Sequence, residues 1–299
     1  MKALIATYFI LFAPASQAGE IAFTFDDAPT RDSVYMTGQE RTKLLLKNLK
    51  EGAVNGAVFF VNSEKIGLKN RNRLTEYTSA GHVIGNHTHT HRGLKRLNAT
   101  EFIEDIIQAD KILTHFAGYK RWFRYPHLGR GKTKAERDRV YEFLSNNEYV
   151  DAYVTVDNFD FYMDSLFQKA VKTGKKIHFE ELKDAYIFAL WDAVKFYDGL
   201  ALKTIGRSPR HILLLHENDL AAMFVNDLAN FLRKKGWKII SAKKAYEDPI
   251  SDFIPNTLRN GRIAAIASER GFSKKETRDK YQSKEAVEKL FEDRRVFRD

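Results

Sequence analysis

Ile21-Ala22-Phe23-Thr24-Phe25-Asp26-Asp27 is a short β-rich run that ends on two adjacent carboxylates. Runs of the same kind recur at Ala57 to Asn62, His82 to His87, Arg121 to Pro126, Tyr149 to Thr155, His211 to His216 and Trp237 to Ser241. Between them, Arg41 to Lys50, Ala99 to Phe116, Ala135 to Ser145 and Asp219 to Lys234 carry apolar residues at helical spacing. Thr100 followed by Glu101 reads as the capped start of one of these helices. Strands alternating with helices imply parallel pairing through right-handed crossovers. The expected fold is therefore α/β, a closed or nearly closed, distorted (β/α) barrel of seven strands. An open doubly wound sheet has the same alternation, so periodicity alone does not separate the two. The polar residues favour the barrel. Asp26, His87, Arg124, Asp157 or Asp160, and His216 fall at or just past the C-terminal ends of different strands, which share one face in a barrel.

Two of those strand ends carry metal chemistry. A catalytic zinc-type ion takes about three protein ligands from His and carboxylate and keeps a further position open for water. Asp27, with His87 and His91 from Asn86-His87-Thr88-His89-Thr90-His91, could supply that set. The spacing of four is expected to place both rings on one side of a helical turn. Asp26 is then left beside the ion as a general base, and the pattern reads as metal-assisted hydrolysis. His82, His115, His178 and His211 are assigned no role.

Two segments lie outside the regular units. Residues 163–210 contain a long amphipathic helix, read as an insertion packed on the barrel. The stretch from 250 to 299 reads as a helical C-terminal extension that packs against the barrel and finishes in a solvated end. The domain organisation expected is a signal peptide at 1–18, the barrel with its insertion at 19–249, and the extension.

Met1-Lys2 followed by an apolar run to Ala13, then Ser16-Gln17-Ala18, has the layout of a cleaved secretory signal. The apolar run is too short for a membrane span, so no integral membrane segment is expected after cleavage. The chain is expected to be secreted or periplasmic, in the cell envelope. The absence of cysteine excludes a disulfide scaffold, thiol chemistry and cysteine-ligated metal. The formal charge of +10 favours anionic polymers as neighbours. No nucleic-acid motif with aromatic stacking positions occurs, and no nucleic-acid partner is expected.

Taken in order, the motifs resemble those of the polysaccharide deacetylase family of carbohydrate esterases, the chitooligosaccharide deacetylase homology domain, over roughly Ile21 to Ser241. In Thr24-Phe25-Asp26-Asp27 the resemblance makes Asp26 the base and Asp27 a metal ligand. Ala28 stands where the family usually has Gly, which would disfavour a turn of positive φ there. His87-Thr88-His89-Thr90-His91 matches the motif that supplies two ligands. Arg124-Tyr125-Pro126 matches the motif whose Arg holds the base. A cation beside Asp26 would favour its ionised form. His127 takes the place of a Tyr on that loop, where a backbone amide helps bind the oxyanion. In Asp157-Asn158-Phe159-Asp160-Phe161, Asp160 would partner the catalytic histidine, and Phe161 would line the acetyl pocket in place of Trp. In Leu214-Leu215-His216, Leu214 would contact the acetyl methyl, and His216 would be the general acid.

The resemblance implies one divalent metal ion, zinc first, with cobalt, nickel or iron suited to the same ligands. The implied reaction is removal of acetyl groups from N-acetylated glycans, peptidoglycan first and chitin-like polymers next. The alternatives are an O-acetyl esterase or small-molecule amide hydrolase of the same fold, and a catalytically inactive glycan-binding module.

Overall fold

Nine residues of unbroken strand, Glu20–Ala28 (β1), run through the centre of the molecule. Ile21, Phe23 and Phe25 are completely buried. Burial of such side chains stabilises by about 1.5–3 kcal/mol each, which makes β1 the natural spine of the fold. The computed structural model describes residues 19–258 and 261–298. The expected signal peptide, residues 1–18, lies outside the described residues.

After β1 the chain forms α1 (Gly38–Glu51), β2 (Val58–Val61), α2 (Arg71–Ser79), β3 (Val83–Asn86), α3 (Ala99–Leu113), β4 (Tyr119–Phe123), α4 (Lys134–Asn146) and β5 (Val150–Asp151). It continues as α5 (Asp160–Lys172), β6 (Lys176–Ile177), α6 (Phe179–Ile205), β7 (Arg210–His216), α7 (Asp219–Lys234), β8 (Lys238–Ile239) and α8 (Ala242–Tyr246). The last elements are α9 (Arg262–Glu269), α10 (Lys284–Asp293) and β9 (Phe297–Arg298). Helix starts follow local chemistry. Thr37 with Glu40 and Thr133 with Glu136 close capping boxes on α1 and α4. On α3 the cap is Asn98, paired with Glu101, and not the Thr100 expected from sequence. Asn98 accepts from the Glu101 amide, so the helix gains its first turn before the hydroxyl is reached.

The seven-stranded sheet is parallel, in the order β5-β4-β3-β2-β1-β7, with β8 pairing the start of β1. Beyond β5 the chain crosses to the other edge. Ala152 N–H bonds the Phe123 carbonyl, and four residues later Val156 bridges Leu213 of β7. The segment from 150 to 156 thus joins both edges, giving a distorted α/β barrel and not the open sheet that the same periodicity allows. Stacked Phe25, Phe59 and Tyr77, with centroid spacings of 4.9 and 3.9 Å, fill the space between β1, β2 and α2.

Segment 163–210 is more than one helix: α5 and α6 are separated by β6. The last described residues are tied down and not frayed: β9 pairs antiparallel with β6, and Val296 is fully buried. α9 is mostly buried as well. Its entry runs against the barrel, where Arg262 N–H bonds the Val154 carbonyl. A Cβ on Gly261 would meet the Val154 carbonyl oxygen at 2.8 Å, so only glycine permits this approach.

Candidate metal and acid-base site

Asp26 and Asp27 end β1 with different backbone shapes. Asp26 continues the strand, paired with His216 of β7, whereas Asp27 turns to φ 71°. The positive φ therefore falls on Asp27 and not on Ala28, so the missing glycine is no obstacle. Non-glycine residues rarely hold that conformation.

His87 and His91 reach Asp27 by a different route from the helical turn expected. Residues 87–91 are not helical. Asn86 Oδ1 accepts from the Thr88 amide at 2.8 Å, and Thr88 Oγ1 accepts from the His91 amide at 3.0 Å. Thr88 and His91 both take positive φ, 67° and 59°. Side chains of Asn86 and Thr88 thus hold the hairpin-like turn that brings the rings together, centroids 4.9 Å apart.

One ligand atom from each of Asp27, His87 and His91 lies within 4.8 Å of the others. His91 Nε2 is 3.2 Å and His87 Nε2 3.9 Å from Asp27 Oδ1. His87 Nδ1 hydrogen-bonds the Arg124 carbonyl at 2.7 Å, which requires Nδ1–H and leaves the Nε2 lone pair facing Asp27. Burial, the largest effect, holds both imidazoles neutral, with pKa values near about 3. Burial would raise the Asp27 carboxyl, but His91 and Lys65 outweigh it and keep it well below the usual range. Asp27 Oδ1 is buried and has no hydrogen-bond partner. A carboxylate oxygen without a donor, facing two neutral imidazole nitrogens, is a donor set that fits a divalent ion.

Asp26 is buried on the inner side of this cluster. Arg124 Nη1 donates to Asp26 Oδ1 at 2.9 Å, and the same guanidinium reaches Thr24 Oγ1 and the Tyr246 hydroxyl. Its Nε donates to the Ala152 carbonyl, and the Phe60 ring lies 4.2 Å from Cζ. Arg124 favours the ionised form of Asp26, as expected, but burial acts against it. Burial raises the Asp26 pKa by more than Arg124 and His216 lower it, so the arginine orients a carboxylate that stays basic.

Opposite Asp26, His216 Nδ1 is 2.7 Å from Asp160 Oδ1. Asp160 Oδ2 accepts from the His216 amide at 2.8 Å and from Asn218 at 3.2 Å. Burial lowers the imidazole, but Asp160 more than offsets it, and His216 is pushed up to about 10. Asn158 orders this wall: its amide donates to the Leu214 carbonyl, and its Oδ1 accepts from the Asp160 amide. Asp157, the alternative to Asp160, also lines the cavity, but its Oδ2 accepts from Gln282 at 2.6 Å while Asp160 takes His216 Nδ1.

All ten residues expected at the site come together except that Arg124 and Asp160 stand behind the surface. Asp26, Asp27, His87, His91, His127, Phe161, Leu214 and His216 line one cavity of about 360 Å³. His127 lies over His91, centroids 4.6 Å apart, and Phe161 lies 5.5 Å from the His216 ring. Phe161 is 43% exposed, as a group open to a ligand would be. Sequence reasoning missed Tyr246, Asn158, Asn218 and Gln282. Tyr246 and Gln282 come from far along the chain, outside any motif, and no local signal marks them. His82 and His211 are buried in structural contacts, with the Ala57 amide and with Thr155 and Asp198.

Residues 14–143 match the family model described as polysaccharide deacetylase. Over that stretch, less than half of the chain, the sequence is similar to the polysaccharide deacetylase family. A peptidoglycan-N-acetylglucosamine deacetylase of Bacillus cereus is 33% identical over 127 residues, 42% of each chain. A chitin deacetylase of Arthroderma benhamiae is 26% identical over 167 residues, 55% of this chain and 40% of that one. The chain thus spans less than half the length of these curated relatives. Among solved structures, a mutant CE4 family pseudoenzyme with restored enzymatic activity, from Bacillus anthracis, is similar with a TM-score of 0.53 and 20% identity. The match covers 78% of this chain and 69% of that one, and it shows the common fold. The family match ends before Asp160 and His216, so the pairing of those two rests on the fold. No helix among the described residues is long and apolar enough to cross a membrane.

Proposed function

We propose that this protein is a secreted or periplasmic polysaccharide deacetylase, a hydrolase that uses one divalent metal ion, zinc by preference, to remove acetyl groups from N-acetylated glycans of the cell envelope. The observation that carries the reading is the convergence on one cavity of the Asp27, His87 and His91 donor set with a buried carboxylate on one side and an Asp160-clamped imidazole on the other. The domain organisation goes with it: a signal at 1–18, a catalytic barrel at 19–249, and an extension at 250–299.

Asp27, His87 and His91 would hold the ion, which when bound polarises the acetyl carbonyl and makes water more acidic. Asp26 takes a proton from the attacking water, and its raised pKa makes it a stronger base than an exposed aspartate. The water oxygen adds to the acetyl carbon, and the bond from that carbon to nitrogen breaks as His216 delivers a proton to the departing amine. Asp160 fixes the His216 tautomer, so that Nδ1–H points inward and Nε2 faces the cavity. Leu214 meets the acetyl methyl, while His127 and Phe161 form walls against the sugar. Products are acetate and a free amino sugar. Acetate release from peptidoglycan fragments, chitooligosaccharides and a small O-acetyl ester tests the substrate class. Preference for the ester over both N-acetyl glycans would replace this reading with an O-acetyl esterase.

The raised His216 pKa sets one pH dependence. Proton donation needs imidazolium, so activity is present below the folded pKa and is lost as pH rises through about 10. Asp160→Asn removes what offsets burial and is expected to move the alkaline limb of kcat/KM down by a pH unit or more, on the order of the shifts that lost charge partners cause. An unmoved limb in a folded variant would assign the proton donor elsewhere.

A second expectation concerns specificity. Phe161→Trp and His127→Tyr are expected to reorder rates among glycans more than they change turnover of a small acetyl ester that never fills the groove. Equal losses on all substrates would make both residues general supports of the site.

A further inference from the structure

Asp157 lines two cavities, the one that holds the Asp27, His87 and His91 cluster and a second, of about 90 Å³, bounded by the chain between α9 and α10. We propose that Asp157 is a substrate-binding carboxylate that accepts a hydrogen bond from a hydroxyl of the glycan, and that Gln282 is the residue that positions it; that the ligand is a glycan rests on the function proposed above. Gln282 lies well beyond residues 14–143, the stretch that the family model matches. The C-terminal extension thus supplies part of the substrate site.

Gln282 is held so that it can only donate toward Asp157. Its Oε1 accepts from the Tyr197 hydroxyl at 2.8 Å and from the Asp279 amide at 3.0 Å. With both donors on the oxygen the amide has a single orientation, and Nε2 meets Asp157 Oδ2 at 2.6 Å. The turn beneath is fixed as well. Arg278 Nη2 donates to the Gln282 carbonyl at 2.8 Å, and the Tyr281 amide donates to Asp279 Oδ2 at 2.8 Å. Gln282 is 6% and Tyr197 1% exposed, so packing locks the arrangement.

Asp157 itself is short of donors. It is partly exposed, and Gln282 is the only side chain among the described residues that hydrogen-bonds it. Burial pushes its carboxyl up to about 6, despite the Asn158 amide, His216 and Gln282. A carboxylate kept only for the fold would have its acceptors satisfied internally. This one faces a cavity, where a hydroxyl would add a charge-assisted bond. Phe159 and Phe161 line the same cavity, ring centroids 5.0 Å apart. Apolar rings beside one fixed acceptor suit a sugar, whose C–H face packs on the rings while the carboxylate orients a hydroxyl.

The test is calorimetric titration of a chitooligosaccharide into the metal-loaded protein carrying Asp26→Asn, so that binding is read without turnover. Adding Asp157→Ala or Gln282→Ala is expected to weaken affinity roughly tenfold or more, the loss of a hydrogen bond to a charged group. The two together should cost no more than Asp157→Ala alone, because Gln282 acts through Asp157. With Asp26 restored, the same loss should fall on KM for the oligomer more than on kcat. No saturable heat, or an affinity unchanged by Asp157→Ala, overturns the proposal, and losses that add in the double variant remove Gln282 from it. Should the alanine variants not fold, Asp157→Asn decides, since it can still accept from Gln282 and loses only the charge. About threefold weaker binding or more is expected of it, and unaltered affinity overturns the site. Asp157-dependent binding by a protein that releases no acetate would defeat the function proposed above and leave this site standing. Acetate release with an affinity indifferent to Asp157 would defeat this site alone.

Discussion

Asp26→Asn is expected to retain a bound divalent ion and to lose turnover by roughly a hundredfold or more, the contribution typical of a general base. The substitution is close to isosteric. Asn Oδ1 can still accept from Arg124 Nη1, so the clamp that positions residue 26 survives and only the basic oxygen is removed. None of the proposed metal ligands is altered. The effect should therefore appear in kcat with little change in metal affinity or melting temperature. Near-normal rates on an N-acetyl glycan would mean that another group takes the proton, and equal loss of metal and activity would mean that Asp26 is itself a ligand.

His91→Ala is expected to weaken divalent-ion binding by more than the roughly 10–100-fold that loss of an outer partner costs, and to abolish activity with it. His91 is the cleaner of the two histidines to remove. It is partly exposed, and its Nε2 makes the shorter approach to Asp27 Oδ1, 3.2 Å. His87→Ala should do the same but with added loss of stability, because His87 is 2% exposed and anchored to the Arg124 carbonyl. Competition with a chelating dye measures both. A His91→Ala variant with full metal affinity would remove this residue from the ligand set and leave only two of the proposed donors.

Much of this architecture is legible in the sequence because its signals are local. The seven β-rich runs are the seven strands of the barrel sheet, since apolar character along each run reports burial directly. Closure is not local. It depends on Val156 meeting Leu213, residues far apart in sequence, and strand periodicity carries no trace of such a pairing. The histidine spacing brings His87 and His91 together, but not through a helical turn: the turn is made by the Asn86 and Thr88 side chains and positive φ, which a spacing rule does not contain. Arg124 meets Asp26 and favours its ionised form as expected, but a sequence gives the neighbour and not the depth of burial that outweighs it. The ordered end at β9 was hidden for the same reason as closure, its partner β6 being a two-residue strand with no pattern of its own.

The most direct test of metal-dependent deacetylation is simultaneous quantification of acetate and of new free amines after incubation with an N-acetylated glycan, with the protein metal-loaded and then metal-stripped. Equal amounts of acetate and amine are predicted from the loaded protein, none from the stripped one, and recovery when the divalent ion is restored. Glycan binding without acetate release by the loaded protein, or release that is unaffected by stripping, would contradict the account.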